Sequence, residues 1–294
     1  MLHEMKRNRG VWALGALAFV AGLASSAGAD VALRPRYQVG DRYALVLEVG
    51  TKTRVQARET FREHVELRYS AQVEVLETDA AGIPVRELHD QAQLTSVRSD
   101  RTRELFKKDA SFELDRSPNG TVAIQFRENR VEPRIEKIVG DLLAHQAEYA
   151  LAALLDPGRP AAAGERWELA AERVVEFLRA RGMRDVALDG AGSAELADDG
   201  LTLRYRIPIR GFDLADLPEG ASATRSRGTL EGELKLDPHG LHRARERSEE
   251  LVLDVDGTVA ASAGGAPSAR WRLRRTQSVD QQTETLKDQL ASGF

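Results

Sequence analysis

Alternation with a period of two dominates this chain. Tyr43, Leu45, Leu47 and Val49 fall on one side of a first extended run. Val65, Leu67, Tyr69, Ala71, Val73 and Val75 alternate with Glu66, Arg68, Ser70, Gln72 and Glu74 in a second. That is the signature of a long strand with one buried face. Asp79-Ala80-Ala81-Gly82 turns this strand, and Val85 to Val97 runs back. Phe112 and Leu114, then Ser117-Pro118-Asn119-Gly120, then Val122, Ile124 and Phe126 predict a hairpin, because Asn and Gly both tolerate positive φ.

The period then lengthens. Ile135, Val139, Leu142, Leu143, Leu151 and Leu154 follow helical spacing, with Pro133 suited to a first turn and Asp156-Pro157-Gly158 to a stop. One long amphipathic helix over 133–155 is expected, about 30 Å long. Val174, Val175, Phe177 and Leu178, ended by Gly182, read as a short helix or a strand. Leu201, Leu203, Tyr205, Ile207 and Ile209 restore the alternation, and Pro208 argues for an edge strand or a bulge there. Leu230, Leu234 and Leu236 lead through Asp237-Pro238-His239-Gly240 to a strand around Leu251, Leu253 and Val255. A loop over 260–268 precedes a last strand with Trp271 and Leu273, and the polar tail after Asp280 reads as a frayed helix.

The fold class expected is mainly β (α+β): a long-stranded, curved antiparallel sheet or incomplete β-barrel, paired as meanders and covered by the one helix. Residues 30–290 form a single β-rich domain, with two β halves (35–130 and 160–285) joined by helix 133–155. Gly40-Asp41-Arg42-Tyr43 and Gly164-Glu165-Arg166-Trp167 share the order glycine, acid, arginine, aromatic, and each opens a half. Duplication of a β unit and coincidence of two turn-to-strand entries both fit this echo.

The first residues read as an address. Lys6, Arg7 and Arg9 precede an apolar run from Val11 to Leu23, and Ala27-Gly28-Ala29 precedes Asp30. This is the order of a signal peptide over 1–29, cleaved after Ala29, and the run is short for a membrane span. The protein is therefore expected to be exported, periplasmic or extracellular, and not membrane-spanning after cleavage. Residues 1–29 carry a net +2, which leaves the mature chain at −6 against −4 for the whole.

Composition removes several classes. The 294 residues are 42% hydrophobic and 30% charged, as in a soluble globular protein. Aromatics make up 5%, too few for the girdles of an outer-membrane barrel. The second faces of the strands are also crowded with Arg and Glu, and Asp288 interrupts the run toward the terminal Phe294. The negative net charge offers no field for nucleic acid. The absence of cysteine excludes disulfides, thiolate metal sites and thiol catalysis.

Tyr37-Gln38-Val39-Gly40-Asp41 entering the first strand, Leu155-Asp156-Pro157 ending the helix, and Gly164-Glu165-Arg166-Trp167 entering the second half resemble an uncharacterised family of exported bacterial β-rich proteins, common in planctomycetes. Members often carry Gly-Asp where this chain has Gly164-Glu165. The family has no assigned activity, so the resemblance implies architecture and supplies no catalytic residues. In shape alone the expected fold is similar to periplasmic lipid and lipoprotein carriers.

The search for chemistry is short. His3, His64, His89, His145, His239 and His242 include no H-E-x-x-H spacing. Gly190-Ala191-Gly192-Ser193-Ala194 lacks the final glycine of a nucleophile elbow and reads as a loop. Asp254-Val255-Asp256-Gly257 lacks the glutamate of a calcium loop, whose position falls on Gly265. His89-Asp90 is a conceivable acid–base pair. No catalytic residue, metal or cofactor is assigned. Arginine is the unusual feature: Arg204, Arg206 and Arg210, then Arg243, Arg245 and Arg247, then Arg270, Arg272 and Arg274 each share a strand face. These faces read as a basic surface for lipid headgroups, acidic glycans or an envelope protein, or as a solvated face with glutamates opposite. The candidate ligand-binding residues are Leu142 and Leu143 on the helix and Arg204, Arg206, Arg272 and Arg274 on the strands. The expected role is a non-catalytic exported protein binding a hydrophobic or amphipathic ligand or an envelope protein. An envelope hydrolase and a purely structural module are the alternatives.

Overall fold

The computed structural model describes residues 31, 33, 36–57, 59–98, 101–117, 122–127, 131–144, 148–214, 221–237, 244–259 and 269–286. The expected signal peptide, the Asn119-Gly120 turn, His145, His239, His242, Arg243 and the loop over 260–268 lie outside the described residues.

The first half is an antiparallel meander. Strands β1 (Arg42–Gln56), β2 (Thr60–Thr78), β3 (Pro84–Arg98), β4 (Arg101–Arg116) and β5 (Val122–Phe126) pair in chain order. Two helices follow, α1 (Pro133–Ala144) and α2 (Glu148–Leu155). The second half contains β6 (Arg166–Glu168), α3 (Ala171–Ala180), β7 (Met183–Leu188), β8 (Ser193–Leu196), β9 (Thr202–Leu214), β10 (Ala221–Leu236), β11 (Ala244–Val259) and β12 (Ala269–Thr285). All belong to one sheet of order β5-β4-β3-β2-β1-β12-β11-β10-β9-β8-β6, with β7 also on β9. The first strand and the last meet at the centre, from Tyr43↔Thr285 to Gln56↔Arg272. The sheet is not closed.

One face of the sheet carries two cores. Tyr43, Leu47, Tyr69, Val73, Leu94 and Phe112 build the first, sealed by Ile135, Val139, Leu142 and Leu143 of α1. Leu203, Ile207, Leu230, Leu251 and Leu253 build the second, sealed by α2 and α3 through Leu151, Leu154, Leu155, Val174 and Leu178. The helix expected over 133–155 is described as two segments, α1 and α2, that serve different cores; residues 145–147 between them lie outside the described residues. On β12 the inward positions Arg275 and Gln277 lie between Leu273 of the second core and Val279 of the first.

Three further expectations are refined. Residues 281–285 are strand, because Gln281 to Thr285 complete the ladder with β1, and Gln281 and Gln282 pair with β11 as well. Of the edge or bulge expected at Pro208, the register agrees with the second: β8 pairs with β9 up to Arg206 and β7 from Ile209, with a register shift between Ala187 and Leu188, so Pro208 sits at an interruption of the ladder, where its carbonyl accepts Asp189 N–H at 3.1 Å and no N–H is required. Ser193 begins β8 rather than continuing a loop.

The echoed turns are alike in detail. Gly40 and Gly164 both have positive φ (90° and 77°), which glycine adopts without strain. Asp41 accepts the Gln38 backbone N–H at 2.7 Å and Glu165 accepts that of Ala162 at 2.9 Å, each three residues back. The strands they open differ in place, since β1 is central and β6 terminal in the sheet.

Candidate functional site

Each core encloses an ion network. In the first, Tyr43 Oη donates to Glu87 Oε1 at 2.7 Å, and Arg116 Nη2 donates to Glu87 Oε2 at 3.1 Å. Arg116 also donates to the Leu143 carbonyl at 3.2 Å, which ties β4 to α1. Tyr69 Oη and His89 Nδ1 share a hydrogen bond of 2.7 Å, and the His89 ring stacks on Phe112 with centroids 4.9 Å apart. His89 Nε2 lies 3.8 Å from Glu87 Oε2, too far for a hydrogen bond. Burial by itself raises the Glu87 carboxyl, but Arg116, His89 and Tyr43 together hold it down to about 2. Burial, then the Glu87 charge, pushes the Tyr69 phenol well up.

In the second core, Tyr205 Oη and Arg181 Nη1 both donate to Glu249, and Arg247 Nη2 donates to its Oε2 at 3.0 Å. Arg181 lies 4.4 Å over the Phe177 ring. Burial again opposes ionisation, and Arg247 and Arg181 overcome it, bringing Glu249 to about 2. Tyr205 reaches Glu249 across β10 at Gly232, which pairs with both. A Cβ on Gly232 would meet the Tyr205 ring at 2.5 Å, so the crossing requires glycine.

Carboxylates held at about 2 are weak bases at neutral pH, and these are saturated by donors. Glu87 and Glu249 are each 3% exposed. The networks therefore pin strands and helices together. His89 and Asp90 do not form a pair: His89 is buried and Asp90 exposed, on opposite faces of β3, just before a bulge at which Gln91 has φ 49°.

The solvent face divides along the strands. Toward the end of Tyr43 and Thr285 its rows are cross-strand ion pairs: Arg204 Nε to Glu233 at 2.9 Å, Arg206 to Glu231 at 3.1 Å and Lys235 to Glu246 at 2.7 Å. Arg166, Arg204, Arg206, Glu231, Glu233 and Glu250 line an open depression of about 490 Å³ here. Toward the far end the register sets Arg62, Arg54, Arg274, Asp254 and Arg227 in one row. Arg62, Arg54 and Arg274 are directly opposite one another on neighbouring strands and exposed, with no ion pair among the described residues. Lys52 lies beside His64 in the row before, and Arg225, Asp256, Arg272 and Gln56 form the row after. Arg272 Nε bonds Asp256 at 2.6 Å, and that hydrogen bond is the first cause lowering the Asp256 carboxyl. The far end thus has a cationic excess within a chain of net charge −4.

The sequence-derived site residues separate. Leu142 and Leu143 are 4% and 0% exposed in the first core. Arg204 and Arg206 are paired at the near end. Arg272 and Arg274 share their face but stand in rows set well along the strands: Arg204 lies in the row of Asp280, eight positions and about 27 Å from Arg272. Arg247 leaves the face assigned to it, because the register shift between Lys235 and Leu236 leaves Arg245 outward and turns Arg247 into the core. Glu87, Arg116, Arg181 and Glu249 were not anticipated. Glu249 was detectable, since it shares inward parity with Leu251, Leu253 and Val255.

The chain matches no protein-family model and no curated protein. Among solved structures it is similar to Pseudomonas aeruginosa OccK2 (OpdF) in complex with glucuronate, at 10% identity and a TM-score of 0.24, over 88% of this chain and 100% of that one. The outer membrane protein OprG from Pseudomonas aeruginosa is similar at 7% identity and a TM-score of 0.16, over 85% and 99%. A BenF-like porin from Pseudomonas fluorescens Pf-5 is similar at 7% and 0.18, over 85% and 100%. Likenesses this slight carry no argument.

Proposed function

We propose that this is a non-catalytic exported protein that binds an anionic component of the cell envelope through the solvent face of its sheet. The observation that carries it is the row Arg62–Arg54–Arg274. Like charges directly opposite on adjacent strands repel, and a bound anion relieves that repulsion. Of the occupants raised by the sequence, an anionic or amphipathic surface component suits this face. A wholly hydrophobic ligand needs an apolar cavity, whereas three recesses of this protein carry charged and polar groups in their walls.

Retention on immobilised heparin, a soluble polyanion, tests this reading. The chain should be held at low salt despite its negative net charge and released as salt screens the contact. Arg54→Gln/Arg62→Gln/Arg274→Gln should elute early, and Arg204→Gln/Arg206→Gln at the wild-type position. Absence of retention, or equal elution of both variants, overturns it. Turnover of ester, glycoside, peptide or phosphate substrates that one substitution abolishes would overturn the non-catalytic part.

A further inference from the structure

The cationic row is only part of what gathers at the far end of the sheet. The β1–β2 hairpin forms the rim of the core: from Val49 to Gln56 and from Thr60 to Leu67 no residue is fully buried on either face, and Val49, Val55 and Leu67 pack half-buried against the cores. Phe61 lies at its tip, one residue from Arg62 and 54% exposed, and Val259 at the end of β11 is 39% exposed. Beside them Gln56, Thr224, Asp256, Arg270, Trp271 and Arg272 wall a recess of about 530 Å³. The Trp271 indole is 9% exposed, and its Nε1–H has no acceptor among the described residues. Its ring covers Gly257, where a Cβ would meet it at 2.2 Å, so the indole is fixed in place.

We propose that this end of the sheet docks an anionic phospholipid bilayer. The proposal rests on the envelope-binding reading above and names its partner. A bilayer surface presents a plane of phosphates over an apolar layer, and this end presents matching parts in matching order. Arg54, Arg62 and Arg274 meet the phosphate plane. Arg270 and Arg272 offer donors to a headgroup at the recess. Phe61 at the hairpin tip, on the sheet face opposite the arginine row, enters the acyl boundary as the end of the hairpin meets the membrane. A soluble acidic polymer would satisfy the arginines and leave Phe61 without a role. Anion binding also relieves the repulsion among three opposed guanidiniums, which gives the row a reason to be there.

Co-sedimentation with vesicles tests the proposal. The purified chain should bind vesicles containing phosphatidylglycerol, leave phosphatidylcholine vesicles alone, and be released near 1 M salt, where the Debye length is about 3 Å. Arg54→Gln/Arg62→Gln/Arg274→Gln should weaken vesicle binding by about a hundredfold or more. The same variant should melt no lower than wild type, because it removes like-charge contacts. Phe61→Ser should weaken vesicle binding several-fold and leave heparin retention unchanged. No binding to anionic vesicles, or binding indifferent to the triple substitution, overturns the proposal. Heparin retention without vesicle binding, or with Phe61→Ser silent on vesicles, assigns the face to a soluble acidic polymer. That result overturns the bilayer and leaves the broader reading standing, whereas failure on both supports overturns the two together.

Discussion

The two halves of the sheet solve one problem in two ways. Each buries a glutamate that accepts a hydrogen bond from a tyrosine forty-four residues earlier, Tyr43 to Glu87 and Tyr205 to Glu249. In both, the tyrosine stands two strands from the carboxylate and passes over the strand between. In the first half the path is diagonal: Tyr43 pairs with Val73 and Glu87 with Val75, so a side chain fits below. In the second it is straight, with Tyr205, Gly232 and Glu249 in a line, and only glycine leaves room. The counter-ions differ as well. Glu87 has the single guanidinium of Arg116, and Glu249 has those of Arg181 and Arg247. A buried carboxylate therefore constrains its neighbourhood through the groups it must satisfy, and the same pairing places different demands on the strand it crosses.

Removing the carboxylates should separate the halves most. Glu249→Gln leaves two buried arginines without their anion and should cost about 3–5 kcal/mol in chemical denaturation. Glu87→Gln leaves one and should fall at the low end of that range. Equal losses would show that the number of counter-ions does not set the cost. Leu142→Ala in α1 and Leu154→Ala in α2 should each cost about 2–5 kcal/mol, because each opens a cavity in a filled core. A negligible loss at one site would mark that helix as a movable cover.

Gly232→Ala should cost about 1–3 kcal/mol by forcing the Tyr205 ring off its path. A neutral result would mean that Tyr205 has another way to Glu249. Acid acts on both halves in the same direction. The native carboxyls lie at about 2 against an ordinary 4.5, so the folded chain binds fewer protons than the unfolded one below pH 4.5. Their contribution is complete above pH 4.5 and fades as pH falls toward 2. The acid limb of the stability curve should flatten in Glu87→Gln and Glu249→Gln, and an unchanged limb would assign it to other carboxyls. At the small end, Arg204→Gln should leave the denaturation midpoint where it is, because its pair with Glu233 is solvent-exposed.

Much of this was legible in the chain. The alternation is strand in β1, β2, β9 and β11, with Tyr43, Leu47, Tyr69, Val73, Leu203, Ile207, Leu251 and Val255 inward as expected, whereas Leu201 stands before β9 and is exposed. Val174, Phe177 and Leu178 are buried on α3, and Gly182 ends the turn beyond it with φ 82°. The arginine face was legible only as composition. Arg204 and Arg272 look equivalent along the chain, yet one stands opposite Glu233 and the other in a row next to three opposed arginines. Arg247 was placed on the wrong face because a single bulge reverses parity, and alternation carries no mark of a bulge.

The sequence alone determined the local terms: where strands alternate, where glycine turns the chain, and which segments can be helical. These depend on residues a few positions apart, and a few positions decide them. The tertiary structure decided that β1 pairs with β12, that the helical stripe divides between two cores, and that Glu87 and Glu249 are buried with their arginines. It also set Arg54, Arg62 and Arg274 side by side, although Arg274 lies more than two hundred residues from the other two. Register between distant strands is fixed by pairing and packing the whole sheet, and no window of sequence contains that information.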